Sequence, residues 1–224
     1  MVDFVFKERY NIEDLRKIVH LLRSPGGCPW DIEQSHASIR RELLEEAFEA
    51  AEAIDEDSAE HLREELGDVL LQVVFHSDIE ADRGRFDLDG VADGIVKKLI
   101  FRHPHVFSDE EMPSWEDIKR RERGQSAASE AMRTVAKSLP QTWRYEKIVK
   151  KAQAAGFDSD SEAEIRERIA ALSQGEASEE NIGALLGECC RLAQRAGIDP
   201  EAALSKASDR LIEKCAELER DYNK

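Results

Sequence analysis

Cations are scarce in this chain. Its 224 residues carry 32 lysines and arginines against 48 aspartates and glutamates, a formal charge of −16. A general grip on a nucleic-acid polymer needs a basic face, so that role is excluded. A small anion held through metal ions and a few local cations is not. Long apolar runs are missing as well, and none approaches the roughly 18 residues that span a bilayer. Met1–Tyr10 mixes acids with bases and lacks the apolar core of a secretory leader. The expectation is a cytoplasmic protein with no membrane partner. Only Cys28, Cys189, Cys190 and Cys215 carry thiols, and none stands in a C-x-x-C pair, which predicts free thiols in a reducing compartment. No stretch alternates apolar with polar residues as a strand would. With 41% hydrophobic and 6% aromatic residues, the composition is globular, and the fold class predicted is all-α.

Apolar residues recur at helical spacing over Ile12, Leu15, Ile18, Val19 and Leu22, and Ser24-Pro25-Gly26-Gly27 stops that helix. After a turn at Cys28-Pro29-Trp30-Asp31, a helix is predicted from about Ser38 to Ile54. Its inward stripe is Ile39, Leu43, Leu44, Ala47, Phe48, Ala51 and Ile54. Ser58 is the expected N-cap of a helix reaching about Ala81, with Leu62, Leu66, Val69, Leu70, Val73 and Val74 inward. A Gly84 loop leads into a helix from Leu88 to about Phe101. His103-Pro104-His105 ends it, because proline disfavours helical geometry in the preceding residue. Trp115–Arg123 reads as a short charged helix, and Gln125–Pro140 as a linker or a loose helix.

Two acidic strings on successive predicted helices stand out, Glu45-Glu46-Ala47-Phe48-Glu49 and Glu65-Leu66-Gly67-Asp68. Spacings of three or four residues place Glu46 with Glu49, and Glu65 with Asp68, on one helix face. If the two helices pack antiparallel, four carboxylates converge. Such groups raise one another's pKa, and beside a core stripe they are partly desolvated. A hard dication such as Mg2+, with Mn2+ as a substitute, removes that conflict and suits a substrate made of phosphates. Gly67 costs about 1 kcal/mol relative to alanine in a helix, which fits either a close approach to the backbone or local packing. In a chain with 36% charged residues a lone E-x-x-E would mark only a solvated face. The specific feature is the pairing of acids beside core positions on two consecutive helices. Glu33-Gln34-Ser35-His36 has the E-x-x-H form found in di-iron bundles. It lies at the edge of a proline-glycine loop without a partner copy, and oxygen ligands without histidine fit Mg2+ or Mn2+ better.

An internal repeat is also legible. Glu64-Glu65-Leu66-Gly67-Asp68-Val69-Leu70 can be laid over Glu180-Asn181-Ile182-Gly183-Ala184-Leu185-Leu186. Downstream, Phe86-Asp87 matches Ile198-Asp199, Lys98-Leu99-Ile100 matches Arg210-Leu211-Ile212, and Arg102 matches Lys214. The overlay keeps apolar and basic positions but loses the acids, since Asn181 replaces Glu65 and Ala184 replaces Asp68. It reads either as a duplication whose second copy lost its metal or as chance similarity between amphipathic helices.

Further strings complete a pattern: Gly27-Cys28-Pro29-Trp30-Asp31, Gln34-Ser35-His36, Gly84-Arg85-Phe86-Asp87, Arg102-His103-Pro104-His105-Val106-Phe107 and Trp115-Glu116-x-Ile118-Lys119. Together with the acidic strings, over about residues 12 to 125, they resemble the MazG-type nucleoside triphosphate pyrophosphohydrolases. That resemblance implies an all-α, MazG-like helical bundle, here with two repeats of which the second is degenerate. The implied organisation is a catalytic repeat over residues 1–125, a linker over 126–145 and a repeat without the acidic metal motif over 146–224. It also implies a homodimer whose active site is built by helices of both subunits. The implied reaction is Mg2+-dependent hydrolysis of a nucleoside triphosphate between its α and β phosphates, giving monophosphate and pyrophosphate.

Carried onto this chain, the resemblance makes Glu46, Glu49, Glu65 and Asp68 the metal ligands. Glu45 becomes an acid behind those ligands or a group that orients the attacking water. Lys98 and Arg102 fall at basic positions that meet the triphosphate, and Trp115 and Lys119 at positions near the nucleotide. Each has a plainer competitor: Trp115 as a packing anchor, Lys98 and Arg102 as a surface stripe, His103 and His105 as groups that fix the helix end. The expected role is nucleotide pool control or sanitation. The alternative from another class is a helical module that binds nucleotide or protein without turnover.

Overall fold

The computed structural model describes residues 4–108 and 128–222. The expected helix over 115–123, with Trp115 and Lys119, lies outside the described residues. Contacts divide the chain into two units, Met1–Ile118 and Lys119–Lys224. Among the described residues every regular element is a helix and there is no strand.

The first unit contains α1 (Ile12–Arg23), α2 (Pro29–Glu33), α3 (Arg40–Asp55), α4 (Ala59–Asp82), α5 (Leu88–Arg102) and α6 (Pro104–Phe107). Local chemistry fixes most of the boundaries. Asn11 accepts from the N–H groups of Glu13 and Asp14, and Asp14 reaches back to the Asn11 N–H, a reciprocal cap for α1. At the other end Gly26 takes φ +87°, and a Cβ on Gly27 would sit 2.3 Å from the carbonyl oxygens of Leu21 and Leu22. Only glycine lets the chain fold back this closely onto the end of α1, where the Cys28 N–H meets the Leu22 carbonyl at 2.8 Å. Ser58 caps α4 through the His61 N–H, and Asp87 caps α5 through the Gly90 N–H. The expected turn at Cys28-Pro29-Trp30-Asp31 is largely the short helix α2. Its proline occupies a first-turn position, where the missing N–H costs nothing. Pro104 likewise starts α6 just after α5 ends.

A link of only three residues joins α3 to α4, and the two helices are in broad contact, so they form an antiparallel pair. The core gathers Val19 from α1, Ile39 ahead of α3, and Val74, Phe75 and Ile79 from α4, with Leu15, Leu71 and Leu88 around it. The Arg23 guanidinium lies 5.0 Å from the centre of the Phe75 ring. It also pairs with Asp78 and Asp82, each at 2.7 Å.

The inward stripes differ from those expected. On α3 the buried residues are Ala50 and Ala53, whereas Phe48 is 53% and Ile54 61% exposed, and Leu44 is exposed too. On α4, Leu66 is 52% exposed and Leu70 is also exposed, while Glu65 is buried with Val74, Phe75 and Ile79. Periodicity locates an apolar stripe but does not say what covers it. In these two helices the stripe that faces the rest of the chain passes through Glu46 and Glu65, and the greasier stripe faces outward.

The second unit holds α7 (Ala128–Arg133), α8 (Gln141–Ala154), α9 (Glu162–Ser173), α10 (Glu179–Arg195) and α11 (Pro200–Tyr222). Helix thus occupies parts of the 126–145 stretch read as a linker. Val149, Ile165 and Cys190 are buried, and α10 packs against α8, α9 and α11. Arg191 on α10 is nearly buried and gathers Asp158, Asp160 at 2.6 Å and Glu188 at 3.0 Å. Arg168 on α9 ties the same acids from the other side, at 2.8 Å to Asp160 and 3.2 Å to Glu188. Cys28, Cys189, Cys190 and Cys215 are free thiols.

Candidate active site

Antiparallel packing brings the two acidic strings together. Oxygen atoms of Glu46 and Glu49 on α3 and of Glu65 on α4 lie within 4.8 Å of one another. Glu65 is 9% exposed. Burial pushes the Glu46 carboxyl above the usual glutamate range, and the charges of Asp68, Glu49 and Glu65 push it further the same way. Asp68, one turn beyond Glu65, is therefore close enough to act on Glu46. The donor set is all carboxylate oxygen and carries an electrostatic cost that a hard dication would cancel, so these residues fit a divalent ion of the Mg2+ or Mn2+ type. A Cβ on Gly67, between Glu65 and Asp68, would meet nothing within 4 Å. Packing among the described residues therefore gives no reason for a glycine there.

Glu45, Lys98 and Arg102 fall elsewhere in the first unit. Glu45 is exposed and pairs with Arg41 at 2.7 Å, outside the group formed by Glu46, Glu49 and Glu65. Lys98 is exposed on α5, and Arg102 is half-buried one turn later at the end of that helix. α5 packs on α4, the helix that carries Glu65 and Asp68. Trp115 and Lys119 lie outside the described residues. His36 does not join the acids in an E-x-x-H pair. Its ring stacks on His76 with centroids 5.0 Å apart, and its Nε2 pairs with the buried Glu80, which Arg83 and Arg85 also hold. His36 and then Arg85 keep the Glu80 carboxyl below its ordinary range.

One neighbour of the acids was not anticipated. His61, in the first turn of α4, lies 3.2 Å from Glu65 and 2.9 Å from Glu56. The i, i+4 spacing of His61 and Glu65 could have shown the first contact. The second depends on the turn between α3 and α4, which periodicity does not reveal. In the second unit the Asn181 amide donates to the carbonyls of Leu172 and Glu176, at 2.8 and 3.0 Å. It ties down the end of α9 and is not an acid facing an acid.

Residues 34–107 match the MazG nucleotide pyrophosphohydrolase domain, a span that includes the whole acidic group. The chain is 39% identical over 217 residues to the nucleoside triphosphate pyrophosphohydrolase/pyrophosphatase MazG of Thermotoga maritima, covering 92% of this chain and 85% of that protein. The chain belongs to the MazG family. It is also 36% identical over 230 residues to a nucleoside triphosphate pyrophosphohydrolase of Escherichia coli, covering 93% of this chain and 87% of that one. The all-α fold agrees with MazG membership, and among the described residues no helix is long and apolar enough to cross a membrane.

The Glu46 shift sets a pH signature. A carboxyl with a raised folded-state pKa contributes stability that is full below its unfolded value and is lost as pH rises through the folded one. A dication that meets the ionised form offsets the loss. Added Mg2+ or Mn2+ should therefore raise the melting temperature more at about pH 7 than at about pH 5. Thermal shift at the two pH values, with a chelator as the reference, reads this directly. An equal gain at both would separate the ion from Glu46.

Proposed function

We propose that this chain hydrolyses nucleoside triphosphates between the α and β phosphates, releasing monophosphate and pyrophosphate, in a reaction that depends on Mg2+ and accepts Mn2+. The observation that carries this reading is the convergence of Glu46, Glu49 and Glu65, with Asp68 acting on Glu46, in a chain of the MazG family. Relatives named as nucleoside triphosphate pyrophosphohydrolases favour turnover over a module that only binds. Glu46, Glu49, Glu65 and Asp68 would hold the ion. Bound there, it would supply charge stabilisation at the phosphoryl oxygens and an acidified water. Lys98 and Arg102 neutralise the departing pyrophosphate, and through them an acidic protein can hold a polyanion. Trp115 and Lys119 are assigned to the nucleotide, and Glu45, paired with Arg41, is assigned either to support the ligands or to orient the attacking water. The physiological role proposed is control or sanitation of the nucleotide pool, in the cytoplasm.

Incubation with a nucleoside triphosphate, with and without Mg2+, followed by chromatography tests the reading. Monophosphate plus pyrophosphate only with the ion is the expected result. Diphosphate plus orthophosphate would overturn it.

The active assembly is proposed to be a homodimer. Leu44 and Phe48 on α3, Leu66 and Leu70 on α4, and Val91, Ile95 and Leu99 on α5 are all exposed. They lie on three helices that pack in series, α3 on α4 and α4 on α5, and apolar side chains exposed in this way are the kind of surface a partner covers. A Cβ at Gly67 would meet open space among the described residues, which allows a close approach to α4 there. Leu66→Glu or Leu99→Glu should halve the mass seen in sedimentation and remove activity with it. A variant that stays dimeric and active would count against that face.

Residues 1–125 are proposed as the catalytic repeat, 126–145 as the connection and 146–224 as the degenerate copy. A matching cap supports the duplication. Asp87 and Asp199, paired in the overlay, each accept from the N–H three residues on. α10 has 17 residues where α4 has 24, and Asn181 and Ala184, which replace the acids, lie within it.

A further inference from the structure

We propose that His61 is a positioning residue for Glu65 and is itself anchored by Glu56, so that the corner between α3 and α4 orients one carboxylate toward the divalent ion. This rests on the metal-dependent reading above. The two ring nitrogens face two different acids. Nδ1 lies 2.9 Å from Oε2 of Glu56, at the end of α3, and Nε2 lies 3.2 Å from Oε1 of Glu65, one turn along α4. The ring is thereby fixed from both sides. The backbone beneath it is fixed too, since the His61 N–H is the group that Ser58 caps. Asp57 supplies the corner, taking a left-handed φ of 55° between Glu56 and Ser58, a conformation that aspartate tolerates better than most residues.

An exposed i, i+4 pair contributes only a few tenths of a kcal/mol, and if Glu65 were exposed the contact would carry no further meaning. Glu65 is 9% exposed, however, and belongs to the group whose oxygens converge. A carboxylate has two oxygens, each able to accept twice. By engaging Oε1, His61 limits rotation of the group and leaves the other oxygen for an ion. Partners that hold a metal ligand from behind commonly change metal affinity by about 10- to 100-fold when removed.

The test uses the whole chain and Mn2+ as the probe, with bound and free ion separated by electron paramagnetic resonance. His61→Ala should weaken Mn2+ binding about tenfold or more. The metal concentration for half-maximal turnover should rise by a similar factor, while KM for nucleotide at saturating metal stays within about twofold. His61→Gln keeps an N–H donor toward Glu65 and should recover most of the loss. Glu56→Ala frees the ring on its outer side only and should shift the same constants in the same direction by a smaller factor. Mn2+ affinity of His61→Ala within about twofold of the unaltered protein, a glutamine variant as impaired as the alanine one, or an unshifted Glu56→Ala would each overturn the proposal. If the unaltered protein takes up no Mn2+, the metal reading itself fails, which is a separate result.

Discussion

Replacing Glu49 or Asp68 with alanine is expected to cut pyrophosphate release by about a hundred- to a thousandfold. Glu49→Ala removes an oxygen donor from the converging group and Asp68→Ala removes the acid that acts on Glu46, and on the proposed reading each takes away part of what would hold the ion that stabilises charge on the phosphoryl group. Neither variant should lose much fold stability. Glu49 is exposed and Asp68 half-buried, and removing one member of a like-charge cluster relieves repulsion that already burdens Glu46. The signature is therefore a protein that melts at or above the unaltered temperature while turnover collapses. Glu180→Ala, on an exposed position of α10, is the matched control and should leave the chemistry intact. Asn181→Ala should loosen the end of α9 by about 1 kcal/mol, the usual size for lost hydrogen bonds, without touching turnover. Continuous release of pyrophosphate by a coupled assay, beside melting curves, separates the two outcomes. Equal loss of activity from the Glu49 and Glu180 changes would defeat the assignment to the first unit.

The largest expected effect on stability lies in the second unit. Arg191→Ala should cost about 3–5 kcal/mol, because it strands Asp158 and Glu188, which are largely withdrawn from water. Asp158, Asp160 and Glu188 all lose a partner at once, and Arg168 reaches only the last two. Arg191→Lys should recover only part of the loss, since one ammonium cannot serve three carboxylates as a guanidinium fork does. pH gives a second check with a definite sign. Hydrogen bonding to Arg191, more than any other cause, holds the Asp160 carboxyl below its ordinary range. Its stabilising share is present above its unfolded pKa and is lost as pH falls through the folded value. The gap between the unaltered protein and Arg191→Ala should thus narrow in acid, as denaturant titrations at several pH values would show. Because the chain has two units, the transition to follow is the one that reports on α8 to α11.

Local chemistry was the most readable part of this sequence. Ser58 announces a helix start, and the structure places α4 directly after it; Asn11 and Asp87 cap α1 and α5 through the same short-range hydrogen bonds. The acidic group was readable for the same reason, since spacing along a helix and one tight connection decide it. Burial was not readable in the same way. Leu66, Leu70 and Phe48 follow the expected period and are exposed, because period fixes which residues share a face and not which face a neighbour covers. Alanines at 50 and 53 close the α3–α4 contact instead, where small side chains let the two backbones come near. The Arg191 network was invisible for a different reason. Asp158, Asp160, Arg168, Glu188 and Arg191 are spread over 34 positions, from 158 to 191, and charged residues are so common here that no string marks them.

α4 runs unbroken through 24 residues, about 36 Å at the usual helical rise, with Glu65 toward one end and Phe75 and Ile79 seated in the hydrophobic centre nearer the other. Such a rod acts as a lever. From Phe75 to Glu65 is about 15 Å, so a tilt of about 4° at the seat swings the carboxylate by about 1 Å, a displacement large enough to lower a rate a hundredfold. Substitutions that merely slacken the packing around Phe75 would then register as failing chemistry long before they register as unfolding.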